Sequence, residues 1–308
     1  MNTQKTIEEI ITLWKKEKTN YVKRSSMSAY SLLLKNHIAP AFGNNMAIEE
    51  TEVQAFVNRK LEQGISQKTI KDMLIVLKMV LKFGVKNNWL SKCQFDIQFP
   101  TDHTKQGIEV LSKAQHRKMM QHIEQHFTFR NLGVYLCLCT GMRIGEVCAL
   151  TWDDIDVENG TIHIRRTLQR IYSLNDTGNK TEVIIDSPKT KNSAREVPMN
   201  RDLIKMLKPI KKIVNGAFFV LTNELKPTEP RTYRVYYQKM IVDLGLPRIK
   251  FHGLRHSFAT RCIESKCDYK TVSVLLGHSN ISTTLNLYVH PNLEQKKKAI
   301  DQMFKGLK

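Results

Sequence analysis

Apolar positions along the first hundred residues recur at helical spacing. Thr6-x-x-Glu9 has the form of a capping box ahead of an apolar run that reaches Trp14. Ser25 to Phe42 and Thr51 to Gln63 carry the same period, set off by Pro40 and Gly43 and by Gly64, and Ile70, Met73, Leu74, Leu77 and Leu81 follow a Ser66 start signal. These spacings predict a small all-helical bundle over residues 1–97. Gln98 to Val110 holds Pro100 and Gly107 with little periodicity and reads as a linker. Ser112-x-x-Gln115 opens a second helical region that runs, with interruptions, to Leu150. The period then changes to two. Ile155 and Val157, then Ile162 and Ile164, flank Glu158-Asn159-Gly160, and an Asn-Gly turn between alternating runs predicts a β-hairpin. Val183 to Pro198 predicts a further strand pair with Lys189 to Ser193 at its tip. Helix returns from Arg201, interrupted by Pro209, Pro227, Pro230 and Pro247. The expected fold is mainly α with a small antiparallel β-sheet: a helical domain over 1–97, a linker over 98–110, and a mixed α/β domain with a C-terminal tail over 111–308.

Composition adds a partner. The 308 residues are 41% hydrophobic, enough apolar material for two cores, and 48 Lys plus Arg against 29 Asp plus Glu give a net charge of +19. Both halves share the excess, +6 over residues 1–107 and +13 over 108–308, so both can touch one polyanion, and nucleic acid is the first to consider. Apolar runs fall short of the roughly 18 residues that cross a bilayer, and MNTQKTIEEI lacks the apolar stretch of a signal peptide, so no membrane and a cytoplasmic location are expected. Six scattered cysteines without a C-x-x-C pair read as reduced, packed thiols. His122 and His126 are four apart but lack neighbouring ligands. In the acidic stretch Asp153, Asp154, Asp156 and Glu158, Gly160 is displaced from the turn of a calcium loop, which leaves a solvated strand edge. No metal and no cofactor are expected.

The candidate chemistry is spread over separate segments. In TGMRIGEVCAL, Arg143 and Glu146 are three apart on one helix face beside apolar Met142, Ile144 and Val147. In HGLRHSFAT, His252 and Arg255 are again three apart and can point at one target. In LLGHSNISTTLNLYVH, Gly277-His278 breaks a helix, and Ile281, Leu285 and Tyr288 share one face of the next. Each has an ordinary reading alone: a surface ion pair, a core aromatic, a solvated lysine at Lys189. Together they supply two guanidiniums, two imidazoles, an ammonium and a phenol. Two Arg forks can clamp the non-bridging oxygens of a phosphodiester as charge develops, without Mg²⁺, and a phenol near such a field, with His252 as base, can be the nucleophile. Lys189 can protonate the departing sugar oxygen.

These segments resemble those of the tyrosine recombinase (phage integrase) family along nearly the whole chain. The resemblance implies a SAM-like helical core-binding domain and a tyrosine-recombinase catalytic domain. Carried over by position, Arg143 and Arg255 bind the scissile phosphate, Lys189 is the general acid, His252 the general base and His278 a further phosphate donor. Glu146 supports the site, and Tyr288 becomes linked to the DNA 3′-phosphate. The implied partners are double-stranded DNA and three further copies of the chain, a homotetramer on two DNA sites, with accessory DNA-bending or directionality factors possible. Core-binding helices that begin almost at Met1 lead to the expectation of a mobile-element integrase without an arm-binding domain. A type IB topoisomerase shares the chemistry but relaxes DNA as a monomer; the helical clamp and the tail after Tyr288 favour recombination. A purely architectural DNA-binding protein has no use for a placed phenol.

Overall fold

The computed structural model describes residues 4–101, 108–174, 180–188, 193–288, 297, 300–301 and 303–306. The chain divides into two compact units, Met1–Lys105 with Ile171–Glu182, and Gln106–Arg170 with Val183–Lys308. Part of the expected linker, residues 102–107, and Lys189 at the expected hairpin tip lie outside the described residues.

The first unit is helical over α1 (Ile7–Lys18), α2 (Arg24–Leu33), α3 (Ala39–Phe42), α4 (Glu50–Glu62) and α5 (Gln67–Lys86). The Thr6–Glu9 capping box forms, with Glu9 accepting from the Thr6 amide at 2.8 Å, and Ser66 caps α5 by accepting from the Thr69 amide. Ile10 and Trp14 of α1 and Met73, Leu77 and Val80 of α5 enter one core, the face that the spacing marks. The Ser25–Phe42 run is one continuous helical path, but Leu34–Ile38 within it is a π-turn in which the Ala39 amide reaches back to the Leu34 carbonyl. Pro40 explains the widening: it has no N–H to donate and its ring crowds the preceding turn.

The second unit opens with α6 (Lys113–Gln125), α7 (Phe129–Thr140) and α8 (Ile144–Ala149), followed by β1 (Ile155–Asp156) and β2 (Thr161–Ile164). β3 (Thr167–Tyr172) and β4 (Thr181–Asp186) each have residues in both units, and after β5 (Arg195–Pro198) the second unit returns to helix in α9 (Arg201–Lys211), α10 (Pro230–Asp243), α11 (His252–Glu264), α12 (Tyr269–Leu276) and α13 (Ile281–Tyr288). The Asn-Gly hairpin forms as read: β1 and β2 pair antiparallel with Ile155 opposite Ile162, and Gly160 takes φ +67° in the turn. The second expected pair does not form. β5 instead pairs with β2, Val197 opposite Ile162, while β4 pairs with β3. Burial separates the two strands, since Val197 is buried whereas Val183 and Ile185 of β4 are exposed. The acidic stretch also departs from a solvated edge: Asp154 is buried and paired with Arg166 at 2.6 Å, and Asp156 accepts from the Glu158 and Asn159 amides to shape the turn. Helix α9 continues through Pro209 to Lys211 rather than stopping there. The core of this unit gathers α7, the β1–β2 hairpin and the inner faces of α10 and α11 around the fully buried Trp152.

Candidate active site

Helix α7 ends at Gly141, whose φ of +67° and close approach to Phe258 and Leu276 leave no room for a side chain. The chain then turns directly into α8, which sets Arg143 at that helix's first residue boundary. Glu146 folds back to accept from the Arg143 amide and from its guanidinium, both at 2.8 Å. The carboxylate thus caps α8 and holds the arginine at once.

Helix α12 supplies the second half of the site. It ends in a Schellman motif, with Gly277 at φ +64° and the His278 amide bonded back to the Ser273 carbonyl. Its last carbonyls face a cluster of guanidiniums. Arg195 Nε donates to Leu275 O at 2.7 Å, Arg255 Nη2 to Leu276 O at 2.5 Å, and Arg143 Nη2 to Gly277 O at 3.2 Å. Arg255 also donates to Gly141 O at 2.8 Å, tying the two glycine-capped ends together. Cations at the negative end of a helix are favourably placed. Three arginines side by side still repel one another, and Glu146 offsets this by binding both Arg143 and Arg195, the latter through two bonds of 3.1 Å. Burial by itself would push the Glu146 carboxyl up, but the bonds and charges of Arg195 and Arg143 outweigh it and hold it below its usual range. Burial, and then the charge of Arg143, lowers the Arg255 pKa to about 9, which leaves it protonated at neutral pH. With one carboxylate among three guanidiniums the cluster keeps a net positive charge, and a phosphate is the anion it suits.

The imidazoles complete it. His278 Nδ1 pairs with the hydroxyl of the fully buried Thr284 at 2.8 Å, which fixes the ring, and burial together with the neighbouring Arg255 and Arg143 lowers its pKa to about 4. His252, the first residue of α11, keeps an exposed edge. Desolvation of its inner side, then His256, Arg255 and Arg143, hold its pKa below the usual imidazole value. His256, one turn along α11, meets His252 edge-to-face at 4.7 Å and contacts the Tyr288 hydroxyl through Nδ1 at 2.5 Å. The Tyr288 ring packs on a small cluster of Ala259, Val272 and Leu276, and burial raises its pKa to about 12, Arg255 pulling the other way.

Of the residues singled out in the sequence, the structure brings together Arg143, Glu146, His252, Arg255, His278 and Tyr288; Lys189 is outside the described residues. Arg195, His256 and Thr284 were missed. The signals were present: Arg195 lies in SPKTKNSAREVP, and His256 is four residues after His252, on the same helix face. Buried Cys137 and Cys148 belong to the core of the unit. The rings of His122 and His126 stack on each other, and no cluster of three or more ligating side chains gathers among the described residues.

The chain is similar to known proteins along most of its length. The model of the phage integrase family matches residues 109–295, and that of the phage integrase N-terminal SAM-like domain matches residues 6–61. A XerC-like tyrosine recombinase of Caldanaerobacter subterraneus subsp. tengcongensis is 31% identical over 307 residues, spanning 92% of this chain and 74% of that protein. The transposase from transposon Tn916 of Enterococcus faecalis is 26% identical over 270 residues, spanning 80% of this chain and 64% of the transposase. Among solved structures, the Tn1549 transposon integrase in complex with a circular intermediate DNA shares the fold, with a TM-score of 0.78 at 23% identity over 97% of this chain and 100% of that one.

Proposed function

The chain belongs to the phage integrase family and is a tyrosine site-specific recombinase, and we propose that Arg143, Arg255, His252, His278, Lys189 and Tyr288 carry its strand cleavage. The observation that carries this assignment is the gathering of guanidiniums at the C-terminal end of α12 with a phenol held beside them. Arg143, with its side chain 35% exposed, is the first charge a phosphate meets; Arg255, 1% exposed, adds its positive charge from behind it. His252, at the N-terminus of α11, holds the position that the family resemblance gives to the general base, and His278 donates a ring N–H to a phosphate oxygen as charge builds. Attack by Tyr288 Oη on phosphorus expels the 5′ sugar oxygen, which Lys189 protonates, and leaves a 3′-phosphotyrosyl bond. Glu146 and Arg195 act through Arg143 by holding its orientation.

Double-stranded DNA is the substrate, met on both units. In the first, Lys68, Lys71, Lys78, Lys82 and Lys86 are all exposed and fall along one stripe of α5, the form of a backbone-tracking surface. Four protomers on two DNA sites exchange strands in the cytoplasm; no helix among the described residues is long and apolar enough to cross a membrane. The arginine cluster supplies the positive charge that a divalent ion supplies elsewhere. Nicking of a suicide duplex, carrying a site that the wild-type protein selects from a random-sequence pool, should therefore proceed in EDTA. Complete loss that Mg²⁺ restores would contradict the proposal.

A further inference from the structure

Tyr288 must lose a proton to attack, and its surroundings make that harder. Burial raises its pKa to about 12, so the phenol is protonated at neutral pH and its O–H needs an acceptor. Among the described residues, the hydrogen bond that the structure gives this hydroxyl is to His256 Nδ1, at 2.5 Å. His252, the imidazole that family position marks as base, is the next ring along: it stands edge-on to His256, with the centroids 4.7 Å apart. His252 is also less suited to taking a proton: burial, then His256, Arg255 and Arg143 disfavour its charged form, with Glu146 pulling the other way, whereas at His256 burial is joined by Arg255.

We infer that His256, not His252, holds the Tyr288 hydroxyl and accepts its proton as the tyrosine attacks. The inference rests on the recombinase reading above. The Tyr288 O–H bond breaks as an N–H bond forms at His256 Nδ1; the Oη–P bond forms as the bond from phosphorus to the 5′ sugar oxygen breaks, and that oxygen takes its proton from the general acid. The acceptor must be a neutral ring with its proton on Nε2. Burial, and then Arg255, lowers the His256 pKa, so the ring is neutral at physiological pH and Nδ1 is open to accept. The α-helical spacing does the positioning: His252 and His256 lie one turn apart on one face of α11, and Ala259, three residues further, joins the apolar cluster against which the Tyr288 ring rests.

Two measurements test it. In the free protein, long-range proton–nitrogen NMR of the histidine rings should show His256 with Nε2 protonated and Nδ1 bare, and the Nδ1 resonance should move in Tyr288→Phe. A proton on His256 Nδ1 in the wild type overturns the inference without touching the recombinase reading. On the selected suicide duplex, His256→Ala and His256→Asn should each slow adduct formation about 100-fold or more, the usual scale of a positioned base, with duplex affinity within about twofold of wild type. The amide oxygen of Asn takes the place of Nδ1 as a hydrogen-bond acceptor but cannot carry the proton away. Added imidazole should restore part of the rate to His256→Ala and none to Tyr288→Phe. A wild-type rate in His256→Asn, or no imidazole rescue of folded His256→Ala, overturns the proton-acceptor role. Absence of any Tyr288 adduct with the wild type overturns the underlying reading and this inference with it.

Discussion

At the scale of single residues, the site is a balance between burying charge and neutralising it. Glu146 is 3% exposed and binds the half-buried Arg143 and the buried side chain of Arg195, so removing it leaves the Arg195 guanidinium without its counter-charge, the costly way to break such a network. The histidines add a pH dependence with a definite sign. His256 and His278 have folded pKa values below the 6.5 of a free imidazole, His278 at about 4. Between pH 6.5 and about 4 the unfolded chain therefore binds protons that the folded chain refuses, and stability falls as pH falls through that window, with no further loss from these groups below it. Glu146, held low, adds its own loss only at more acid pH. Thermal melts from pH 7 to 4.5 should show this slope, and His278→Gln should flatten it by up to about 1.4 kcal/mol per pH unit, less to the extent that solvent reaches the ring. An unchanged slope in the variant would remove His278 as a contributor. Most of these residues were legible because short spacings placed Arg143 with Glu146 and His252 with Arg255 on shared faces. Arg195 was not, because its partners lie 49 residues away at Glu146 and 80 away at Leu275, and no local period reports such contacts.

At the scale of elements, two glycine-capped helix ends build the anion site. Gly141 closes α7 and Gly277 closes α12, and the Arg255 fork links the carbonyls of Gly141 and Leu276. A Cβ at Gly141 would come within 2.6 Å of Phe258 and 2.9 Å of Leu276, in a left-handed conformation that L-residues avoid. Gly141→Ala should therefore cost about 2–4 kcal/mol, the sum of backbone strain and overpacking, and should slow cleavage beyond the loss of folded protein by displacing Arg255. Denaturant unfolding and single-turnover cleavage by the folded fraction measure the two; an unchanged midpoint would contradict the packing argument. Caps and turns are where the sequence spoke most clearly: Thr6, Ser66, Ser112 and Asn159-Gly160 all act as their chemistry predicts. Strand partnership was not legible. β5 reads as the neighbour of β4, yet it pairs with β2, because the face bearing Val197 is the one that can be buried.

For the whole molecule, positive charge is spread over both halves of the chain, +6 over residues 1–107 and +13 over 108–308, which suits a DNA duplex. Ile300, Met303, Phe304 and Leu307 fall at helical spacing in the sequence; the first three are helical and more than half exposed in the single chain, and Leu307 lies outside the described residues. A short apolar stripe of this kind gains stability by docking. We propose that it docks on a neighbouring protomer in a head-to-tail ring. A chain ending at Leu293 should then bind a single DNA site with near wild-type affinity, but lose synapsis of two sites and recombination; wild-type recombination by that truncation would show that the stripe serves something else. In the sequence this stripe is legible only as a period of apolar residues.

The proposed recombinase chemistry stands on one tyrosine, held beside an arginine cluster, as the covalent link to DNA. Tyr288→Phe deletes one oxygen and keeps the packed ring, so fold and duplex affinity should change little. Labelled suicide duplex is incubated with wild type and variant, resolved on a denaturing gel, and any adduct is mapped by peptide mass. A wild-type adduct at Tyr288 and none in Tyr288→Phe are expected; an adduct that persists in the variant, or maps to Tyr269 or any other tyrosine, would contradict Tyr288 as the nucleophile.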